Sequence, residues 1–523
     1  MNVPDYFIPL VVALPLLGAF LTPLVSRLSG KARNAFVVIV LGVNGILIGL
    51  LASDILTNGI RTYVFGATDL SLPVVRILFE VDAMSVFMAL IAAILSFVGV
   101  LYSLSFMKEY SGLDKFYTLV LLMTAGMLGM MLTGDLFNFF VFLEITSIAS
   151  CALIAFWTHK GESVEAAFKY IIISAIGALF ILFAIALLYG QYNALNMAVL
   201  ANSIQYTFLD KIALVILIAA LAMKAGLVPM HMWLPDSYGS APAPVTLILI
   251  GTTQASLYGA FRVIFTVYGG VFSDTAFASN VIGAFLVILA LATMLIGVIM
   301  ALRQSNLKRM IAYVAVAEIG YMVLGIGVRL NAALYNEVTQ TVVWHPYTTT
   351  ALQGSILHIM NDALTIGLLF LVAGSIYYAT KKISVDQLGG LARKMKYTTV
   401  FFVIGLLAAA GMPPLNGFVS KLLIYESTYQ LNPIIAIVAI LASIMILAVF
   451  VKVFHAIFLG PEQESLKTVK EVPKPMLIAM GVIVCIILFF GLFPEFVITN
   501  IVEPATTAIL NHTQYIGAVL GGV

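Results

Sequence analysis

About fourteen apolar runs, each long enough to cross a bilayer as a helix, recur along the 523 residues, and nothing else in the chain constrains its fold as strongly. A helix needs about 20 predominantly apolar residues to span the hydrocarbon core, where only helices and closed barrels satisfy every backbone polar group. The runs lie near 4–25, 35–52, 80–106, 116–133, 135–157, 163–189, 211–229, 243–267, 280–302, 307–328, 350–378, 398–424, 432–459 and 475–498. Only 10% of the residues are charged, against roughly 25% in a soluble domain. The expected fold is an all-α polytopic membrane protein of about 14 transmembrane helices.

A net charge of +2 makes no basic field, so nucleic acid is excluded as a partner and the lipid bilayer is the medium. The two cysteines, Cys151 and Cys485, lie in separate apolar runs and cannot form an iron–sulfur ligand set, so any redox centre is expected on another subunit. No metal-binding HxxxH or HExxH spacing, P-loop or dinucleotide fingerprint occurs. The first run lacks a basic flank and a cleavage site and reads as a retained helix. Segment 53–79, with two arginines, a proline and β-favouring residues, reads as an ordered extramembrane loop.

Lysine and arginine placement gives an orientation. With the N-terminus outside, seventeen of the 26 basic residues fall in inside loops and four (Arg61, Arg76, Lys211 and Arg329) in outside loops; Lys169, Lys224, Arg262, Lys421 and Lys452 lie within helices. An even helix count with both termini outside a plasma membrane follows.

Two runs are interrupted, the seventh at LVPMHMWLPDS and the twelfth at AAAGMPPLNGFVSK, and each carries a lysine near its break, Lys224 and Lys421. Paired broken helices in corresponding positions point to inverted repeats around an ion site. The expected divisions are 1–115 for helices 1–3, 116–270 and 271–460 for two half-channel repeats, and 461–523 for the last helix and an unassigned tail.

The ionisable residues inside apolar runs are the candidate site, because a charge at membrane depth is costly and persists where it lines a polar path. Glu144 sits mid-helix in LFNFFVFLEITSIASCALIAF. Lys224 and Lys421 become switchable proton sites if a carboxylate partner comes and goes; a fixed ion pair of Lys224 with Glu144 or Glu165 is the structural alternative. Glu318 in the tenth run is placed as the counterpart of Glu144. His358 and Asp362 are four apart and share a helix face, either as a proton relay or as a packed polar contact. Glu165 and Lys169 form an i,i+4 pair that is structural or modulates Glu144. Lys452 and His455 form an exit path or simply snorkel. His231, Trp233 and Asp236 fix the shape of the first break, Asp135 caps a helix, and Arg262 anchors a helix end.

VPMHMWLPDSYGSAPAP resembles the PFHxWLPDAHxxAP signature of the antiporter-like subunits found in respiratory complex I, Mrp-type cation/proton antiporters and membrane-bound hydrogenases. FEVDAMSVFMAL, GDLFNFFVFLEITSIAS, LKRMIAYVAVAEIGYMVLG, ILHIMNDALTIGLLFL and GMPPLNGFVSKLLIY extend the resemblance over helices 3 to 12. It implies fourteen helices with two inverted five-helix repeats, a Glu144–Lys224 pair in the first half-channel, Lys421 as the terminal lysine of the second, and His358 as the histidine of the eleventh helix. Where the family pattern reads TKxGxYxxxR this chain has TQASLYGAFR, so Gln254 replaces the central relay lysine. Where NHxxFKxxLF is common it has NDALTIGLLF, with Asp362 for histidine and Ile366 for lysine. The function implied is an H⁺- or Na⁺-translocating subunit of a redox-driven complex whose partner subunits carry iron–sulfur and NiFe centres. The alternatives are the D-type component of a stand-alone Mrp Na⁺/H⁺ antiporter among its small membrane subunits, a secondary transporter for an organic solute, and a structural subunit with a partly lost channel.

Overall fold

A computed structural model describes residues 3–65, 77–336 and 341–521. Among them, thirteen helices are long and apolar enough to cross a membrane. In chain order the first six spans are Phe7–Ser26, Gly30–Asn58, Ala83–Phe106, Leu113–Leu132, Leu136–Ile154 and Gly161–Tyr192. The seventh to eleventh are Phe208–Ser240, Ala243–Val267, Ala276–Leu302, Leu307–Leu330 and Pro346–Thr380. The twelfth is divided into Lys396–Ala409 and Asn416–Leu431, and Pro433–Leu459 and Lys474–Leu492 follow as the thirteenth and fourteenth. The fourteen expected crossings are therefore all present, thirteen as long helices and the twelfth in two pieces.

Both breaks are built alike. Phe208–Ala225 ends on Gly226 with φ +85°, and Lys396–Ala409 is followed by Gly411 with φ +70°, a left-handed conformation in which glycine alone carries no Cβ penalty. The Val228–Pro229 and Pro413–Pro414 peptides that follow are cis.

The eighth, tenth and eleventh spans form the centre of the bundle. Every residue of Ala243–Phe261 is buried, and Arg309 is the one exception in the tenth span. Outer spans present Phe, Leu and Ile outward, as on the sixth span at Phe168, Ile172, Leu179 and Phe183. Lipid tails are as apolar as these side chains, so close packing rather than hydrophobicity holds the helices together. The ninth and tenth spans show it: a Cβ on Gly297 would lie 2.7 Å from the Ala317 nitrogen, and one on Gly320 would lie 2.6 Å from Met294. A Cβ on Gly259 would likewise meet Phe139 closely, whereas Gly190 faces open space.

Segment 53–79 departs from the loop expected there. The second span continues to Asn58, and β1 (Arg61–Phe65) pairs antiparallel with β2 (Ile77–Val81), with Thr62 opposite Glu80. Arg76 and the rest of 66–76 lie outside the described residues. A second hairpin pairs Ala333–Asn336 with Thr341–Trp344. The unassigned tail forms a π-helical turn, Ile498–Val502, then Glu503–Leu510 and His512–Leu520. Two residues counted as loop charges are instead enclosed: Lys308 donates to the carbonyl of Ala241, and Arg329 lies 4.3 Å from the centre of the Trp344 ring.

Candidate ion-translocation site

Lys224 occupies the last turn of Phe208–Ala225, where a cation complements the partial negative charge of the helix end. Its ammonium donates to Ser147 Oγ at 2.7 Å and Ser174 Oγ at 2.6 Å, and Ser174 Oγ donates to Ser147 Oγ at 3.0 Å. Trp233, past the break, donates its indole N–H to the carbonyl of Met223 at 3.0 Å and so holds the interrupted helix end in place. A cavity of about 20 Å³ between Thr146, Ser147, Tyr170, Ser174, Lys224 and Ser256 has room for at least one water.

Lys224 enters none of the ion pairs found among the described residues, so the fixed pair with Glu144 or Glu165, the structural alternative, is not formed, and the Glu144–Lys224 pair that the resemblance implies is not in contact here. The geometry of the fifth span explains this. Ser147 faces inward, while Val141 and Ile148 are exposed, and Glu144 stands at the boundary between the two faces, half-buried. Its Oε1 is enclosed and has no hydrogen-bond partner. Glu165 pairs with Lys169 at 2.7 Å, as its spacing predicts. Lys169 also meets Asp236 at 2.9 Å, and Arg309 meets the other Asp236 oxygen at 2.6 Å. The piece after the break is thereby tied to the sixth and tenth spans through Asp236. His231 is buried against Tyr313, with ring centroids 6.4 Å apart, and its Nδ1 has no partner.

The second half is more tightly connected. Lys421 donates to Glu318 Oε1 at 2.9 Å, to Ser443 Oγ at 3.1 Å and to the carbonyl of Ala409 at 2.6 Å. That carbonyl is one of those left without a helical partner where the twelfth span stops. Glu318 Oε2 lies 2.9 Å from His358 Nε2, and His358 Nδ1 lies 3.0 Å from Ser420 Oγ. Asn361 and Asn416 extend the network beyond Ser420, Asn361 donating to Ser420 Oγ at 3.0 Å and Asn416 to Asn361 Oδ1 at 3.1 Å. Both ring nitrogens of His358 are thus engaged by the tenth and twelfth spans, and the expected His358–Asp362 bond does not form. Spacing put the two on one face; a charged partner on a neighbouring helix took the histidine.

Between the halves, Gln254 Nε2 donates to the carbonyl of Ile359 at 3.0 Å and, at 3.4 Å, to Asp362 Oδ2. Gln254 Oε1 and Asp362 Oδ1 are buried without partners beside a cavity of about 10 Å³ that reaches Ala225 and Tyr238. Lys224 lines the first cavity and its neighbour Ala225 the second, and Asp362 lies one helical turn from His358 of the His358–Glu318–Lys421 cluster. Among the described residues no group of three or more His, Cys, Asp or Glu is placed to hold a metal ion.

Residues 133–446 match the family model described as "NADH:quinone oxidoreductase/Mrp antiporter, TM", and residues 72–117 match "NADH-Ubiquinone oxidoreductase (complex I), chain 5 N-terminus". The chain belongs to this antiporter-like family. Within it, the chain is 35% identical over 411 residues to the N-type component of the NADH-quinone oxidoreductase of Desulforudis audaxviator, covering 75% of this chain and 76% of the relative. It is 29% identical over 519 residues to the D-type component of the Na⁺/H⁺ antiporter of Bacillus subtilis, covering 98% and 99%. A chain of the archaeal membrane-bound sulfane sulfur reductase superposes with TM-score 0.84 at 26% identity, covering 98% of this chain and 99% of that one.

In this antiporter-like chain two accessory candidates stand apart from the buried polar groups. The thirteenth span turns Ala439, Ser443, Ile446, Phe450 and Val453 inward, which leaves Lys452 and His455 exposed on the opposite face. Arg262, expected to anchor a helix end, follows the last α-helical residue of the eighth span, where it is enclosed and paired with Asp82. Asp82 lies at the head of the third run, 180 residues from its partner, and nothing local in the sequence pairs the two. It caps the third span, accepting from the Ser85 N–H at 2.9 Å, and it holds the arginine as well.

Proposed function

We propose that the chain is the ion-translocating subunit of a redox-driven respiratory complex, carrying protons through buried glutamate and lysine side chains. The observation that carries this reading is the Lys421–Glu318–His358 cluster, three ionisable groups in continuous contact within an apolar bundle and beside a helix break. Such a group arrangement is costly unless it is used: isolated charges at membrane depth are unfavourable, and paired ones mark proton and ion paths. Lys224 is the corresponding site of the first half, and Glu144 is its carboxylate partner when the two approach. Gln254 cannot carry a proton, so Asp362 and water in the adjoining cavity supply the link between the halves.

The two similarly built breaks support two related half-channels, 116–270 and 271–460. The seventeen-to-four division of basic residues supports a plasma-membrane orientation with both termini outside. The relatives come from multisubunit membrane complexes, which supports integral membrane partners, and on this reading those partners carry the iron–sulfur and NiFe centres. A second reading, the D-type component of a stand-alone Mrp Na⁺/H⁺ antiporter, is favoured by the end-to-end match with the Bacillus subtilis relative.

Purification from the native membrane with partners attached separates the readings. Co-purification of an iron–sulfur or nickel subunit is the expected result; recovery with only small antiporter-type membrane subunits would replace the first reading by the second.

A further inference from the structure

A second enclosed cluster of ionisable groups lies at the start of the third span, the end opposite Lys108. Arg262 belongs to the π-helical turn Arg262–Val267 that closes the eighth span, and it is 1% exposed. Turns of this kind re-aim a side chain and recur at functional sites. The guanidinium pairs with Asp82 Oδ1 and also donates to Ser85 Oγ at 3.0 Å, Tyr258 Oη at 2.8 Å and Thr266 Oγ1 at 3.4 Å. Four of its five N–H donors are therefore committed.

Glu80, two residues before Asp82 on β2, is as completely enclosed as Asp82. Neither of its carboxyl oxygens accepts a hydrogen bond of ordinary geometry, and Asp82 Oδ2 is likewise unpartnered. The charged and titratable groups facing Glu80 are Asp82, Arg262 and, from the C-terminal helix His512–Leu520, Tyr515; Tyr258 adjoins Arg262 and Tyr515. Two carboxylates and one guanidinium in an enclosed pocket would leave one negative charge uncompensated. Burying such a charge is strongly unfavourable even after relaxation, and two neighbouring carboxyls sharing one site do not both ionise. Burial raises the Glu80 carboxyl well above the usual glutamate range; the Arg262 charge opposes this and the Asp82 charge adds to it.

We propose that Glu80 and Asp82 share Arg262 as a proton-binding site, in which the carboxyl not paired with the arginine holds the proton. In this structure Arg262 pairs with Asp82, so Glu80 is the protonated member. When the guanidinium moves from Asp82 to Glu80, the proton leaves a Glu80 oxygen and binds an Asp82 oxygen, and the charge of the pocket is unchanged. Tyr258 and Arg262 follow Gln254 at four-residue intervals on the eighth span, so one helix connects this site to the Gln254–Asp362 contact. The use of the site in translocation rests on the proposed function; the protonation of Glu80 does not.

Infrared difference spectroscopy of the complex in its native membrane, at neutral pH, reads this directly. The expected result is a carboxylic acid C=O band that is lost in Glu80→Gln. In Asp82→Asn the freed arginine ionises Glu80, and the same band is again lost. Tyr515→Phe, which changes no charge, is expected to shift the band and serves if Asp82→Asn fails to assemble. A band that persists in Glu80→Gln, a Glu80 band unchanged in Asp82→Asn, or one abolished by Na⁺ at constant pH would overturn the proposal. Translocation is not measured in these experiments, so a failed relay through Lys421 leaves their outcome unaffected.

Discussion

The Lys421 ammonium lies 2.9 Å from the Glu318 carboxylate, and each side chain is 2% exposed. A buried pair of this kind contributes little net stability, but removing one partner strands the other charge, at a cost of about 3–5 kcal/mol. His358 on the far Glu318 oxygen and Ser443 on the ammonium satisfy the remaining polar sites.

Glu318→Gln and Lys421→Met are each expected to abolish proton translocation in vesicles, read by quenching of a pH-sensitive dye. Each is also expected to lower thermal stability, and the double variant Glu318→Gln/Lys421→Met should lose less than the sum of the two. Additive losses would show that the charges do not act as a pair.

Lys224→Ala and Glu144→Gln are expected to abolish translocation while the assembled complex is recovered in normal amount. Ser147→Ala/Ser174→Ala should leave Lys224 in place with weaker support, since a hydrogen bond to a charged group contributes about 1.5–3 kcal/mol. The rate should fall without vanishing. Unchanged translocation in Lys224→Ala would remove that residue from the path.

Asp362→Asn keeps the shape of the link between the halves and removes its ionisable group. Translocation is expected to fall to background, with the complex as stable as before because Gln254 retains a partner in the asparagine oxygen. A fully active Asp362→Asn would assign the link to water and hydroxyl groups alone.

Asp236→Asn weakens contacts that Lys169 and Arg309 make at a partly exposed position. Exposed pairs are worth about 0–1 kcal/mol and are screened by salt, so the thermal midpoint should change slightly at low ionic strength and not at all at high ionic strength.

Asp135 lies between the fourth and fifth spans and caps the fifth, accepting from the Asn138 N–H at 2.8 Å. Burial raises its carboxyl to about 7, with the backbone hydrogen bonds opposing. The folded state therefore binds the proton more tightly than the unfolded chain, whose aspartate titrates near about 3.9. The stability this gives is fully present below that value and is lost as pH rises towards about 7. Asp135→Asn is expected to flatten the pH dependence of the thermal midpoint across this window.

The sequence by itself determined the membrane class, the number of crossings, the two breaks and the residues expected to handle charge. Apolar length, glycine, proline and ionisable residues inside apolar runs are local signals, and the local chemistry of a bilayer is strict. It also determined the Glu165–Lys169 pair and the Asp135 cap, whose partners are within four residues. Tertiary structure alone decided who partners whom across helices. His358 turned from Asp362 to Glu318 and Ser420, Lys224 settled on two serines, and Lys452 and His455 faced outward. It also brought Arg262 to Asp82 over 180 residues of chain. Helical spacing specifies a face but not the helix that covers it, and in a bundle held by close packing that neighbour decides where each proton and charge can rest.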